Sequence, residues 1–180
     1  MQKILLINAS MQNAACIDIL ENIQKNFWLD YSTEIVSIRD YDIEECKGCM
    51  YCYHHPGCVI EDKFKILKDK LIDSDIIVIC TPCYFYNVPG VLKNFIDRTR
   101  ECLPTKALAN KKIVYIYCAH DNADTVKAYL DNATHGFDYC HHLTNLGSYV
   151  VQISDTLDVL DKDEENMIIL AVSRLINNNL

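Results

Sequence analysis

Apolar positions along the chain follow two patterns that alternate with each other. Short, nearly uninterrupted runs of apolar and β-branched residues are typical of strands buried on both faces of a sheet. Between them, apolar residues recur every three or four positions, which is the period of an amphipathic helix. Runs of the first kind occupy residues 3–8, 33–38, 75–81, 112–118 and 148–153. Segments of the second kind occupy residues 16–27, 64–72, 91–96, 126–133 and 167–175.

This alternation predicts an α/β fold. Strands joined through helices by right-handed crossovers build a parallel sheet with helices on both faces. Five strands fit a flavodoxin-like three-layer sandwich, with strand order 2-1-3-4-5, better than a closed eight-stranded barrel. No linker or internal repeat divides the sequence, and we expect residues 1–180 to form a single domain. Ligands of such sheets bind beyond the carboxyl ends of the strands, so the loops after Asn8, Thr81 and Cys118 are the candidate site.

The composition narrows the classes of partner. The formal net charge is -8 and no cluster of lysine or arginine reverses it locally, so we expect no nucleic-acid or membrane partner and favour small molecules. No apolar run approaches the roughly 18 residues of a membrane span, and we expect a cytoplasmic protein. The ten cysteines accompany a full hydrophobic core, which favours reduced thiols or metal ligands over a disulfide framework.

An aromatic-rich loop connects the third predicted strand to the helix that follows it. Tyr84, Phe85 and Tyr86 offer flat apolar surface beside backbone amides, which suits a planar heterocycle such as an isoalloxazine ring. The alternative is that these rings close the core or a dimer interface.

The same segment carries a family resemblance. Its pattern Pro82-x-Tyr84, followed by Leu92-Lys93-x-x-x-Asp97-Arg98, resembles the NAD(P)H-dependent FMN reductase family and its iron-sulfur flavoprotein relatives over about the first 120 residues. The resemblance implies a bound FMN, and it implies that Asp97 and Arg98 fix the helix and the loop. The residues that it places around the flavin ring, mostly through their backbone groups, are Pro82, Cys83, Tyr84, Phe85, Tyr86 and Asn87.

The loop after the first strand is the candidate phosphate site, because the amino end of a helix attracts phosphate through its free amides and its dipole. The candidate residues are Ser10, Gln12, Asn13, Ala14, Ala15 and Cys16. Ser10 or Asn13 can instead be an ordinary helix cap. Where the relatives have Gly-Ser-Pro-Arg and Gly-Asn-Thr, this chain lacks the basic residue and one hydroxyl, from which we expect weaker FMN binding.

The loop after the fourth strand contributes Ala119 and His120 to the candidate flavin site. His120 is either a hydrogen-bond donor to a flavin carbonyl or a surface histidine without a role. Asp121 would place negative charge near the edge of the ring, which also weighs against tight binding.

Four cysteines lie close together in one loop, as Cys46-x-x-Cys49-x-x-Cys52 and, five residues later, Cys58. Four such thiolates can hold a [4Fe-4S] cluster, with a spacing that resembles that of the iron-sulfur flavoproteins, or a tetrahedral zinc ion. Unligated thiols are the third interpretation. We expect the neighbouring His54 and His55 to be solvated.

The resemblance implies an FMN-dependent oxidoreductase, in which NAD(P)H is a substrate and electrons pass through FMN to a small-molecule acceptor. The flavin carries such chemistry, so no catalytic side chain is required. One alternative is an iron-sulfur flavoprotein that carries electrons. Another is a binding or redox-sensing protein that has lost FMN. By analogy of fold, we expect a homodimer or tetramer.

Overall fold

The computed structural model, which describes residues 1–12, 15–27, 29–153 and 162–177, has one five-stranded sheet in the order β2-β1-β3-β4-β5, and every pair of neighbouring strands is parallel. The strands are β1 (Lys3–Asn8), β2 (Ser32–Ser37), β3 (Ile76–Pro82), β4 (Lys112–Ala119) and β5 (Thr144–Gln152). The helices are α1 (Ala15–Phe27), α2 (Tyr51–His54), α3 (Phe64–Asp73), α4 (Gly90–Arg98), α5 (Ala123–His141) and α6 (Lys162–Asn177). The predicted fold class and strand order are confirmed.

Two apolar cores lie on opposite faces of the sheet, which makes three layers. In β1, Leu5 and Ile7 belong to the core under α3, α4 and α5, whereas Ile4 and Leu6 belong to the core under α1 and α6. Successive side chains of a strand point to opposite faces, so an unbroken apolar run supplies both cores at once.

Strand β5 begins at Thr144, four residues before the predicted start, because tertiary contacts outweigh a polar sequence there. The Asn145 amide donates to Asp138 Oδ2 at 2.6 Å, and Tyr115 donates to Asp138 Oδ1 at 2.5 Å from the neighbouring strand. The β4–β5 register shifts by one residue at this point, and Gly147, at φ 130°, accommodates the shift. Polar side chains that find buried partners therefore extend the strand beyond its apolar run.

None of the described helices is both long enough and apolar enough to span a bilayer. The short helix α2 lies inside the loop that carries Cys46, Cys49, Cys52 and Cys58, which we call the cysteine loop. Its apolar residues do not recur with the period of a helix, which is why the hydrophobic pattern did not predict it.

Phe95 is the aromatic centre of the core under α3, α4 and α5. Its ring meets Phe64 at 6.1 Å and Phe137 at 6.4 Å, both edge to face, and it is fully buried. We expect Phe95→Ala to lower the free energy of unfolding by about 3–5 kcal/mol, measured by urea denaturation. Tyr139→Ala removes an exposed ring of α5 and should change it by less than about 0.5 kcal/mol. Equal effects of the two variants would contradict this packing.

Candidate functional site

The loop between β1 and α1 is held in place by its own side chains. Buried Asn8 accepts from the Ser10 amide at 2.9 Å and donates to Ser37 Oγ at 3.1 Å, and Ser10 Oγ accepts from the Gln12 amide at 3.1 Å. The Ala9 amide donates to the Cys80 carbonyl at 2.9 Å. The predicted phosphate loop is thus anchored to β2 and β3 at the carboxyl ends of the strands.

Arg39 supplies positive charge at this loop from another part of the chain. It lies in the 3-10 turn Ile38–Tyr41 after β2, and its Nη1 donates to the Met11 carbonyl at 2.9 Å. The sequence analysis found the basic residue of the relatives missing and did not identify Arg39. The strand order was the available signal, because it places the end of β2 beside the end of β1.

A tight turn presents the aromatic residues of the second loop. The backbones of Tyr84 and Asn87 pair with each other at 2.9 and 3.0 Å, and the two residues between them, Phe85 and Tyr86, have φ of 52° and 55°. Positive φ at both central positions defines a type I′ turn, which normally carries Gly, Asn or Asp. Bulky aromatic residues in this conformation are strained, and such strain concentrates at functional sites.

The aromatic turn is fixed to the loop after β4. Tyr86 donates a hydrogen bond to the Asp121 carboxylate, and its ring lies 5.2 Å from that of Tyr129 on α5. This hydrogen bond, together with one from the Asn122 amide, lowers the pKa of Asp121. Phe85, at the tip, is fully exposed. The carboxylate of Asp121, whose negative charge the sequence analysis expected near the edge of a flavin, therefore accepts a hydrogen bond from a tyrosine hydroxyl.

A cavity of about 320 Å³ lies between these two loops. Its lining residues are Cys83, Phe85, Tyr86, Ala119, His120 and Asp121. Larger cavities of about 580 and 630 Å³ flank the cysteine loop. The smaller one is the candidate flavin site because it lies beyond the carboxyl ends of β3 and β4, the edge at which parallel sheets bind ligands, and because exposed rings surround it.

Of the fourteen predicted flavin and phosphate residues, five line this cavity: Cys83, Phe85, Tyr86, Ala119 and His120. Asn13 and Ala14 lie outside the described residues. Cys16 directs its thiol into the core, 3.6 Å from that of Cys118, so at most its backbone faces the phosphate loop. The amides of Tyr84 and Asn87 are occupied within the turn, and the amides of Tyr86 and Asn87 also donate to the Cys83 sulfur. Aromatic faces, more than free amides, are what this loop offers a ligand.

Arg98 closes the base of the cysteine loop. Its guanidinium donates to both oxygens of Asp62, at 2.5 and 3.1 Å, and to the Glu44 carbonyl at 2.8 Å. Asp62 in turn accepts from the amides of Glu44 and Phe64 at 2.9 and 3.0 Å, and Asn94 donates to the Ile43 carbonyl at 2.8 Å. The two ends of the loop are thus fastened to each other and to α4.

The four loop thiols are spread out rather than gathered at one point. In the described part of the chain, the three-residue group whose donor atoms all lie within 4.8 Å of one another is found elsewhere, in the core. Ligands of a single zinc ion, bound at about 2.3 Å, lie about 3.8 Å apart. A cluster distributes its thiolates over four irons, so the wider spacing suits it better. His54 and His55 are exposed, and His55 stacks on Tyr51 at 4.1 Å.

Two arginines place unsatisfied donors beside these thiols. Arg98 Nε and Arg100 Nε are buried without a hydrogen-bond partner among the described residues. Arg100 lies over the Tyr53 ring at 5.4 Å, and its charge favours the thiolate of Cys52, although burial and the nearby Cys58 raise the pKa of that thiol overall. Arginine charge thus lies near Cys52 and Cys58, two of the four loop thiols, which fits an anionic group such as a thiolate-bound iron-sulfur cluster.

A family model described as NADPH-dependent FMN reductase matches residues 2–158. The chain belongs to this family. An iron-sulfur flavoprotein from Archaeoglobus fulgidus is similar in sequence, with 41% identity over 99 residues, which cover 54% of this chain and 49% of the relative. An iron-sulfur flavoprotein from Methanocaldococcus jannaschii is 36% identical over 80 residues, covering 44% of this chain and 41% of the relative. The matches thus span about half the length of these relatives.

Solved structures of FMN reductase-like proteins share the fold at low identity. A structure named as a quinone reductase from Klebsiella pneumoniae superposes with a TM-score of 0.73 at 13% identity, covering 99% of this chain and 85% of the other. The structure of an NADH:FMN oxidoreductase superposes with a TM-score of 0.70 at 20% identity, covering 99% of this chain and 90% of the other. These likenesses support the flavodoxin-like fold.

The Arg98–Asp62 ion pair predicts a pH-dependent stability. Its side chains are 1% and 9% exposed, and burial alone would raise the pKa of Asp62, but the hydrogen bonds from Arg98, Glu44 and Phe64 lower it below its usual value of about 3.9. The pair therefore stabilises the fold above pH 4, and this stabilisation is lost as the pH falls through the folded-state pKa. We expect Asp62→Asn to cost about 3–5 kcal/mol at pH 7, in urea denaturation, and clearly less at pH 2.5.

The matched control is Asp97→Asn, which breaks the exposed Lys93–Asp97 pair of α4, 58% and 46% exposed. It should cost less than about 1 kcal/mol at pH 7. If the difference in unfolding free energy between the wild type and Asp62→Asn were the same at both pH values, the charge of the carboxylate would not be what fastens the loop.

Proposed function

We propose that this protein is an FMN-dependent NAD(P)H oxidoreductase that reduces a small-molecule acceptor such as a quinone, a nitro compound or free flavin. The observation that carries the proposal is the strained aromatic turn. Phe85 is fully exposed at its tip, although burial of a phenylalanine is favourable by about 1.5–3 kcal/mol. A planar ligand stacked against this turn would compensate both the strain and the exposure. Membership of the FMN reductase family favours FMN as that ligand.

The geometry of the three loops separates the two ends of such a ligand. The phosphate would lie at the amino end of α1, where the Ser10 turn and Arg39 supply hydrogen bonding and charge. The ring would lie in the cavity between the aromatic turn and Ala119. The buried Asn8 joins the phosphate loop to β2, so the two ends are held at a fixed separation by the sheet.

Bound FMN supplies the redox chemistry, since it accepts a hydride and passes electrons on singly or in pairs. The protein's contribution is to position the ring and to control its surroundings. Tyr86, held by Asp121, and His120 lie at the cavity as hydrogen-bonding groups for the edge of the ring. No side chain needs to act as nucleophile or general base in this reaction.

The two-ended site predicts a difference between FMN and riboflavin, which lacks the phosphate. We expect wild-type protein, purified without oxygen and mixed with FMN, to retain about one FMN per chain after desalting and to oxidise NADH or NADPH. Phe85→Ala should weaken FMN and riboflavin binding alike, by about 2- to 10-fold. Arg39→Met should weaken FMN binding about tenfold and leave riboflavin binding unchanged. Flavin fluorescence titration measures the affinities of the wild type and of both variants for each ligand.

Lys25→Met is the control for Arg39→Met, because it removes one positive charge from the opposite end of α1, and it should affect neither ligand. Loss of riboflavin binding in Arg39→Met would mean that this residue supports the loop rather than the phosphate. If the wild-type protein is colourless after it has been mixed with FMN and desalted, the alternative of a binding or sensing protein without flavin would be favoured.

A second candidate function is an iron-sulfur flavoprotein that passes electrons one at a time through a cluster on the Cys46–Cys58 loop. It is supported by the buried, unpartnered Nε donors of Arg98 and Arg100, whose charges lie near Cys58 and Cys52, and by the shared name of the sequence relatives. Thiolates of Cys46, Cys49, Cys52 and Cys58 would be the ligands, and the Arg98–Asp62 pair would keep the loop closed around them.

Iron analysis tests the cluster directly. After anaerobic reconstitution with iron and sulfide, we expect about four iron and four acid-labile sulfide per chain in the wild type and a large loss of both in Cys52→Ser. Cys140→Ser removes an exposed thiol of α5 and should leave the iron content unchanged. One zinc per chain and no iron would support a zinc site instead, whereas a metal-free protein would identify the loop thiols as unligated.

A further inference from the structure

Three cysteines from three different elements meet in the core beneath the phosphate loop. Cys16 is the second residue of α1, Cys80 lies in β3 and Cys118 lies in β4. The Cys118 sulfur is 3.6 Å from that of Cys16 and 3.8 Å from that of Cys80, and all three sulfurs lie within 4.8 Å of one another. No part of the FMN or cluster proposals uses these thiols.

The distances fit ligation of a single ion. Three sulfurs bound at about 2.3 Å lie about 4.0 Å apart around a planar centre and about 3.4 Å apart around a pyramidal one with a lone pair, and two of the pairs, at 3.6 and 3.8 Å, fall between these values. Each sulfur comes from a buried element, so the arrangement is fixed by the packing of α1 on the sheet. Within the described residues, the group contains three thiols and no carboxylate or imidazole, which limits the site to soft ions.

The surroundings decide the charge of the ion. The three cysteines are 0–3% exposed and belong to the apolar core that also contains Leu6, Leu20 and Val114. Three thiolates around a monovalent ion would bury a net charge of -2, and around a divalent ion a charge of -1. A trivalent ion gives a neutral complex, which an apolar core accommodates without a counter-ion.

We propose that Cys16, Cys80 and Cys118 form a three-coordinate site for a soft trivalent ion, of which arsenic(III) is the test case. Arsenous acid would exchange its three hydroxyl groups for three thiolates. Three As–O bonds break, three As–S bonds form, and each thiol proton leaves with a hydroxide as water. No electron is transferred, so no oxidant or reductant is required. The product ties α1 to β3 and β4.

Arsenite binding tests the site in the full chain with Cys46, Cys49, Cys52 and Cys58 replaced by serine, because loop thiols also capture arsenite. We expect one arsenic per chain after desalting, three thiols consumed per arsenic, and three As–S bonds by X-ray absorption. At arsenite about 100-fold above its Kd, the Tm should rise by about 5 °C or more. Loading during refolding from urea removes any limit on access to the core.

Cys16→Ala, in the same background, should weaken arsenite binding at least 100-fold and abolish the Tm shift. This variant is chosen because alanine is favourable in the first turn of a helix; Cys118→Ala is the second test. The matched control is Cys102→Ala, which removes an equally buried thiol from the opposite core and should bind arsenite like its parent. Failure of the parent to bind arsenic, an As–S count of two, or undiminished binding by Cys16→Ala would each overturn the proposal.

Discussion

The reversal of winding between β1 and β3 is the constraint on which the candidate flavin site depends. Because β1 lies inside the sheet with β2 on one side and β3 on the other, the chain leaves β1 and β3 toward opposite faces. A crevice must open where the two connections diverge. The phosphate loop follows β1 and the aromatic turn follows its neighbour β3, so their separation is set by strand spacing and not by either loop.

Different interactions hold the loops in place. Ser10 and Asn8 fix the phosphate loop by short side-chain bonds to backbone amides. The aromatic turn has unfavourable backbone angles at Phe85 and Tyr86, and depends on contacts with Asp121 and Tyr129. A loop that is strained and only partly packed is the one expected to adjust when a ligand arrives.

The sheet could be predicted from the sequence because each strand is marked by an apolar run of consecutive residues. An apolar run such as Lys3–Asn8 can be satisfied only by burial on both faces, so strand order and layers followed from alternation and crossover handedness. What escaped prediction depends on contacts between distant residues. The early start of β5 needs Asn145 to find Asp138, and the cation at the phosphate loop comes from Arg39, 28 residues after the carbonyl that it binds. The type I′ turn escaped because aromatic residues are rare in it.

The cysteines show how one residue type takes different roles according to its backbone. Cys46, Cys49 and Cys58 lie in irregular chain and Cys52 in the short helix α2, and all four are at least partly exposed. Gly48 and Gly57 at positive φ permit tight bends there, and arginine charge is close. Cys16, Cys80 and Cys118 lie in regular, buried elements, where no such charge compensates a thiolate. The first set therefore suits an anionic complex and the second a neutral one. Spacing along the sequence identified the first set at once, whereas the second exists only after α1 has packed on β3 and β4.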